Sequence, residues 1–259
     1  MDPTLWPLAA ATLSGALVGF LLSVFGGGGS VLAAPLLIYV VGVTDPHVAI
    51  GTSAAAVAVN AVAGLATHAR AGRVKWPCAI VFGLTGVIGS VAGSTLAKHV
   101  DGHRLLFLFA LAMAAVAIAM LRPKAGAGDP TVTITPARAL KLAPLGLLTG
   151  LGAGFFGIGG GFLIAPGLMA STGMTLAHAQ ASSLLSVALF GSATAANYAV
   201  SGLVDWPVFW AMLAGGAAGT LAGIPAARAL ASRAVLGRRL FALLILVVAA
   251  YVAARAVSG

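Results

Sequence analysis

The sequence Phe25-Gly-Gly-Gly-Gly-Ser-Val-Leu-Ala-Ala-Pro35 returns in the second half of the chain as Phe156-Gly-Ile-Gly-Gly-Gly-Phe-Leu-Ile-Ala-Pro166. Further matches follow the same order, with one residue lost after the matching histidines: Gly15 and Gly19 with Gly146 and Gly150, His47 with His178, Thr52-Ser53 with Ser182-Ser183, Trp76-Pro77 with Trp206-Pro207, and Gly89 and Gly93 with Gly219 and Gly223. A collinear set of this length predicts a chain of two homologous halves.

The composition indicates that both halves lie in a membrane. Hydrophobic residues make up 60% of the 259 residues and charged residues only 7%, whereas a soluble domain is about one quarter charged. The mean hydropathy is +1.08. The net charge of +9 is spread over short gaps between apolar runs, which argues against a nucleic-acid-binding face. The single cysteine, Cys78, excludes an internal disulfide.

The apolar residues form ten segments, and we predict an all-α integral membrane protein of 8–10 helices. A spanning helix needs about 20 residues, but the second and seventh segments are shorter, follow the glycine clusters, and either span or re-enter. The Pro- and Gly-containing stretch 123–139 is predicted to link a first repeat at 1–122 to a second at 140–259. The ten segments are 5–24, 28–42, 47–69, 76–97, 105–121, 140–156, 160–172, 177–200, 206–227 and 240–257.

The basic residues predict that the second repeat is inverted relative to the first. If the segments alternate between sides, eleven of the fourteen Lys and Arg residues fall on one side, which is then the cytoplasmic side of a bacterial inner membrane. Both termini then lie outside. The loop at 70–75 is basic, whereas its counterpart at 201–205 carries only Asp205, and the loop at 98–104 has fewer basic residues than 228–239. Inverted repeats require this opposite charge in equivalent loops.

The two glycine clusters are the main candidates for a substrate site. Each is predicted to break a helix ahead of a short helix that ends near a proline, and the exposed N–H groups of a helix N-terminus bind anions. Transporters place discontinuous helices at the substrate site, although glycines also permit close helix packing, and that alternative stays open. The candidate residues are Gly26, Gly27, Gly28, Gly29, Ser30, Gly157, Gly159, Gly160 and Gly161.

Hydroxyl groups near the starts of two matching helices, and two amides inside apolar helices, are predicted to complete the site. Such a hydroxyl either donates to an anion or bonds to its own helix, and a buried amide contacts either the substrate or another helix. These candidates are Thr52, Ser53, Ser182, Ser183, Asn60 and Asn197. His68, near the cytoplasmic end of the third segment, is a candidate proton carrier or a residue at the headgroup level.

Several signatures of other functions are absent from the sequence. It contains no His-Glu-x-x-His motif, no phosphate-binding loop and no pair of intramembrane carboxylates, so we expect no enzyme activity, no cofactor and no metal site. A small anion, bound by backbone dipoles and hydroxyl groups, suits these residues best. The expected partners are this anion and the lipid bilayer, without nucleic acid, and a homodimer is left open.

These glycine clusters with their downstream prolines, together with the Thr52-Ser53 element, resemble the sulfite exporter TauE/SafE family, also called the 4-toluene sulfonate uptake permease family. The resemblance covers nearly the whole chain, although the glycine run of the first half is longer and Ser182-Ser183 stands where Thr-Ser is commoner. It implies transport of sulfur-containing anions, such as sulfite, sulfoacetate and other organosulfonates, across the bacterial cytoplasmic membrane.

The sequence as a whole predicts a secondary transporter that exports a small sulfur-containing anion by alternating access, with the anion bound at the paired glycine breaks. A membrane potential that is negative inside drives anions outward, so export needs no coupling ion. An anion channel and an ion-coupled organosulfonate uptake permease are the alternatives. An intramembrane enzyme or assembly factor has no catalytic constellation in its favour.

The inverted topology predicts opposite accessibility for the two loops that carry Ala71 and Ser201. In a Cys78→Ala background, we expect Ala71→Cys to react with a membrane-impermeant thiol reagent only from the cytoplasmic side and Ser201→Cys only from the other side. Labelling of both cysteines from one side of oriented vesicles would contradict the inversion.

Overall fold

The computed structural model describes residues 5–121, 128–157, 161–231 and 234–258, without the side chains of residues 5, 162, 228–238, 257 and 258. These residues are almost entirely helical, which confirms the all-α fold class. The helices are α1 Leu5–Phe25, α2 Ala33–Leu36, α3 Pro46–Arg70, α4 Trp76–Ala97, α5 Gly102–Leu121, α6 Pro136–Phe156, α7 Gly161–Thr172, α8 Leu176–Val200, α9 Trp206–Ala231 and α10 Ala234–Ser258. A 3₁₀ helix, Gly26–Leu32, precedes α2, and a π-helical segment, Leu37–Val41, follows it.

Within the described residues, eight helical segments are long and apolar enough to cross a membrane. The first, Trp6–Val41, combines α1 with the shorter elements after it, and α7 is below spanning length. Large apolar side chains point outward along these helices: Leu13 is 72% exposed, Ile88 67% and Val247 68%. A water-soluble protein would bury such side chains, so the protein is a multi-pass membrane protein.

The chain reverses direction at Gly26. This glycine has a left-handed φ of +64°, which residues with a Cβ adopt at a cost. Residues of Leu37–Val41 then pack against α1. A straight continuation would carry them away from α1 at about 1.5 Å per residue. The glycine cluster therefore forms the bend of a helical hairpin.

The short helices end at glycines and not at the prolines, which differs from the sequence interpretation. Pro166 lies inside α7, and helical structure continues past Pro35 to Val41. Gly42 and Gly173, with φ of +89° and +74°, follow these helices in the left-handed conformation that commonly terminates a helix. The next helices start with capping side chains, since Asp45 accepts a hydrogen bond from the backbone N–H of His47, and Thr175 accepts one from that of His178.

Helices from the first half pack mainly on helices from the second half. The large helix–helix contacts are α1 with α9, α4 with α6, α3 with α8, and α5 with α10. A core of buried residues, including Val57, Ala61, Leu184 and Val187, lies around the α3–α8 contact. The two halves therefore share one interior.

Glycines bring the backbones of two of these helix pairs into direct contact. A Cβ added at Gly19 would overlap the carbonyl oxygen of Gly216, and a Cβ added at Gly150 would overlap that of Gly86. Gly150 is the repeat counterpart of Gly19, and Gly86 is that of Gly216. The same close approach thus occurs between α1 and α9 and between α4 and α6.

Gly150→Ala should destabilise the protein because its new Cβ meets backbone, which cannot rotate away. Overpacking of this kind costs about 1–3 kcal/mol of folding free energy. Gly64→Ala is the matched control, since its Cβ would lie 3.5 Å from Leu184 Cδ1 in ordinary contact. We expect a lower unfolding temperature in detergent for Gly150→Ala alone. Equal temperatures for the two variants would contradict the packing described.

Candidate functional site

The two glycine clusters lie against each other in the interior. A Cβ added at Gly161 would overlap the carbonyl oxygen of Gly27, so the two backbones are in contact. Gly26 and its counterpart Gly157 both have left-handed φ values, +64° and +66°, directly after α1 and α6. The clusters are thus brought together, as a shared site requires. Gly159 and Gly160 lie outside the described residues.

The glycines of the first cluster are part of a helix, where the sequence predicts an open break. Residues Gly26, Gly27, Gly28, Gly29 and Ser30 all belong to the buried 3₁₀ helix. The N–H of Gly27 donates to Ser183 Oγ at 3.3 Å, and the Ser30 hydroxyl donates to the Gly27 carbonyl at 2.8 Å. The N–H of Gly27 is therefore engaged by protein in this conformation. Binding of an anion at these glycines stays a prediction.

Thr52 and Ser182 stabilise the starts of helices that belong to the opposite half. The Asp205 N–H donates to Thr52 Oγ1 at 2.9 Å, and the Lys75 N–H donates to Ser182 Oγ at 2.9 Å. Lys75 and Asp205 directly precede α4 and α9, where backbone N–H groups lack helical partners. Both hydroxyls therefore have a capping role across the two halves.

Ser53 and Ser183 bond to their own helices. The Ser53 hydroxyl donates to the Ile50 carbonyl at 3.1 Å, and the Ser183 hydroxyl donates to the Gln180 carbonyl at 2.8 Å. Both serines are fully buried. Since each hydroxyl proton is already donated, these side chains offer an anion no free proton in this conformation.

The two candidate asparagines are not equivalent. Asn60 is buried, 3% exposed, and its side chain lies against Gly216 of α9. Its counterpart is Phe190, which contacts Gly86 in the same way. Asn197 is half-buried near the end of α8 and bonds to Lys98, which directly follows α4. The two asparagines therefore contact different parts of the protein, and a role for either of them in substrate binding stays a prediction.

A cavity of about 140 Å³ lies between the C-terminal part of α3, the end of α1 and α9. The sequence analysis identifies His68 as a functional candidate, but it does not predict a cavity with Arg73, Ser23 and Thr67. The nearest signal is the basic loop directly after His68. The cavity is lined by Ser23, Thr67, His68, Ala71, Arg73, Ile224 and Ala227.

The hydrogen bonds of the cavity wall leave one cationic group for a ligand. The Ser23 hydroxyl donates to the Thr220 carbonyl at 2.7 Å, and the Thr67 hydroxyl donates to the Gly64 carbonyl at 2.7 Å. The imidazole of His68 is hydrogen-bonded to the backbone of Ser23. The guanidinium of Arg73 remains, and no carboxylate is among the lining residues. The described residues contain no group of three or more His, Cys, Asp or Glu that could hold a metal ion. The cavity is therefore suited to a small anion.

Thr52→Val should destabilise the protein, whereas Thr52→Ser should not, because only the valine removes the acceptor of the Asp205 N–H. Leaving a buried donor unpaired costs about 1–3 kcal/mol. The equivalent pair is Ser182→Ala and Ser182→Thr, and unfolding temperatures in detergent provide the measurement. If Thr52→Val reduced transport at unchanged stability, the hydroxyl would contact substrate and the capping role would be wrong.

Comparison with known proteins identifies the family. The chain matches the model of the family described as "Sulfite exporter TauE/SafE" over residues 11–252. A "Probable membrane transporter protein" of Xylella fastidiosa (strain 9a5c) is 48% identical over 251 residues, which cover 96% of each chain. The "Probable membrane transporter protein YdhB" of Bacillus subtilis (strain 168) is 28% identical over 213 residues, 82% of this chain and 85% of the relative. No solved structure matches. The chain is a membrane transporter and belongs to the sulfite exporter TauE/SafE family.

Proposed function

We propose that this protein exports a small sulfur-containing anion, such as sulfite, sulfoacetate or another organosulfonate, across a bacterial inner membrane. The observation that carries the proposal is the cavity with Arg73 and His68 in its wall and no carboxylate among its lining residues. The family description names sulfite export, which supports this class of substrate.

Arg73 is the main attraction for an anion in this proposal. A guanidinium presents paired N–H groups that match two oxygens of a sulfite or sulfonate, and bonds between ionised partners are about twice as strong as neutral ones. His68 lies on the same wall, with its imidazole hydrogen-bonded to the backbone of Ser23. Its role as a proton carrier stays a prediction.

The size of the cavity fits a small substrate. Its volume is about 140 Å³. A cavity needs only about 10–15 Å³ of such space to hold one water molecule, so this one has room for a small oxyanion.

We also propose that the halves are inverted repeats, with both termini outside and the linker at 123–139 inside. Two observations support the inversion. The equivalent helices α3 and α8 are antiparallel, since Gly51 approaches Tyr198 and Gly64 approaches Leu184. The contact of α1 with α9 has its counterpart in that of α6 with α4. Both are expected of two halves related by an axis in the membrane plane.

Alternating access would place the glycine contact on the path of the anion. In the present conformation, Gly27 and Gly161 touch and leave no room between them. An anion in the cavity can pass only when the two clusters separate, and their N–H groups then become available as donors. The membrane potential contributes about 2.3 kcal/mol per charge per 100 mV to efflux, so the proposed cycle needs no coupling ion.

The proposal predicts anion transport by the purified protein in proteoliposomes. We expect saturable flux of at least one anion from a panel of sulfite, thiosulfate, sulfoacetate and taurine, with chloride as the comparison. Arg73→Gln should raise the KM for the transported anion about tenfold, through the loss of a charge-assisted hydrogen bond. Arg70→Gln is the matched control, because both arginines are exposed but only Arg73 lines the cavity.

If none of the sulfur-containing anions moved or competed, the substrate class would be wrong. Unitary currents in a planar bilayer, without saturable exchange, would identify an anion channel and contradict alternating access. Equal KM values for Arg73→Gln and Arg70→Gln would show that the cavity is not part of the transport pathway.

A further inference from the structure

The end of the α3–α8 pair opposite to the cavity is closed by polar side chains around Lys98. Its Nζ donates to Asn197 Oδ1 at 2.9 Å, to the Asn197 carbonyl at 3.3 Å and to Ser201 Oγ at 2.9 Å. Lys98 follows α4, whereas Asn197 and Ser201 lie at the end of α8. Its ammonium group therefore ties a helix of the first half to a helix of the second.

The side-chain amide of Asn197 strengthens the same closure. Its Nδ2 donates to Ser94 Oγ at 2.7 Å and to Thr95 Oγ1 at 2.9 Å. The amide thus uses its oxygen for Lys98 and its nitrogen for two hydroxyls of α4. A network in which each member has a partner holds one geometry well. We call Lys98, Asn197, Ser201, Ser94 and Thr95 the Lys98 cluster.

The Lys98 cluster and the cavity occupy corresponding places in the two halves. Asn197 corresponds to Thr67 and Tyr198 to His68, and both counterparts line the cavity. Ala97 corresponds to Ala227. Ala227 lines the cavity, whereas Ala97 is 0% exposed. The same place is therefore open in one half and closed in the other.

The two places lie at opposite ends of the central helix pair. The antiparallel approach of Gly51 to Tyr198 and of Gly64 to Leu184 puts the end of α3 far from the end of α8. The cavity lies at the end of α3, and the Lys98 cluster lies at the end of α8. This asymmetry is expected of a transporter that is open to one side and closed to the other.

The cluster contains a cation held by neutral oxygens. The three hydrogen bonds of Lys98 Nζ go to an amide oxygen, a carbonyl and a hydroxyl, none of which carries a charge. Its Nζ also lies 6.0 Å from the ring centre of Tyr198, whose fully buried hydroxyl has no hydrogen-bond partner. An anion would bind the ammonium more strongly than these oxygens do.

We propose that Lys98 is the exit-side anion-binding residue, and that an arriving anion replaces the Asn197 and Ser201 oxygens and so opens the junction of α4 and α8. This inference rests on the proposed function, because it takes the cavity as the entry side and a sulfur-containing oxyanion as the ligand. The exchange is non-covalent. It needs no other reactant.

The test compares labelling at Ala97 and Ala227, which correspond in the repeat. In a Cys78→Ala background, Ala227→Cys should react readily with a membrane-impermeant maleimide and Ala97→Cys slowly. Sulfoacetate, a sulfonate that does not itself add to maleimides as sulfite does, should accelerate labelling of Ala97→Cys about tenfold, the effect of a modest shift between two states. Lys98→Met should make labelling fast without sulfoacetate and remove its effect, whereas Lys98→Arg should preserve it.

Flux measurements on the same variants separate this inference from the proposed function. Lys98→Met should raise the KM for sulfite, while Arg104→Gln, an exposed residue on the same predicted side and outside the Lys98 cluster, should not. If the wild type transported sulfite and Lys98→Met matched it in KM and labelling, the role of Lys98 would be wrong and the proposed function would stand.

If the wild type moved no sulfur-containing anion, the proposed function would fail and the anion-binding role of Lys98 with it. The labelling experiment would still test whether Lys98 holds α4 against α8. Fast labelling of Ala97→Cys in Lys98→Met would support Lys98 as the residue that closes α4 against α8. If Ala97→Cys were labelled equally slowly with and without Lys98→Met, this structural role of Lys98 would be wrong as well.

Discussion

The contact of backbone with backbone through glycine is the constraint on which this structure depends. Helices in lipid gain little from burying apolar side chains against one another, because the lipid tails are equally apolar. A neighbouring helix is favoured over lipid when the two helix backbones can approach each other closely. Gly19 on Gly216, Gly150 on Gly86, and Gly27 against Gly161 are such approaches, and each joins one half of the chain to the other. A methyl group at any of these places would separate the halves.

Much of the fold could be predicted from the sequence because the signals are long and redundant. Apolar segments of spanning length identify most helices, and the glycine run after Phe25 marks the bend that follows α1. The helix ends were less predictable. The sequence predicts short helices that end near prolines, but Pro166 lies within α7, and the left-handed Gly42 and Gly173 follow these helices. Glycine occurs at tight helix contacts, at bends and at helix ends, and the sequence alone does not show which of these roles a given glycine has.

The sequence indicates where the candidate site lies better than it indicates which contacts its residues make. The sequence predicts that the two glycine clusters form one site, and Gly27 and Gly161 are in contact, while anion binding there and a role for His68 stay predictions. It could not show that Thr52 and Ser182 cap helices of the opposite half, since that depends on where α9 and α4 begin in space. It names Asn60 and Asn197 as candidates by their chemistry, and the two occupy different places in the two halves, since the position equivalent to Asn60 holds Phe190.

The reciprocal capping by Thr52 and Ser182 has a consequence for biogenesis. The ribosome delivers α1, α3 and α4 to the bilayer before α6, α8 and α9 exist, yet those later helices supply their main packing partners. During that interval the N–H of Lys75 lacks the Ser182 hydroxyl that receives it in the finished protein. The first half therefore enters the membrane as an incomplete structure, with its glycine faces open to lipid. Its final packing forms only when the second half inserts, so completion of the chain and completion of the fold coincide.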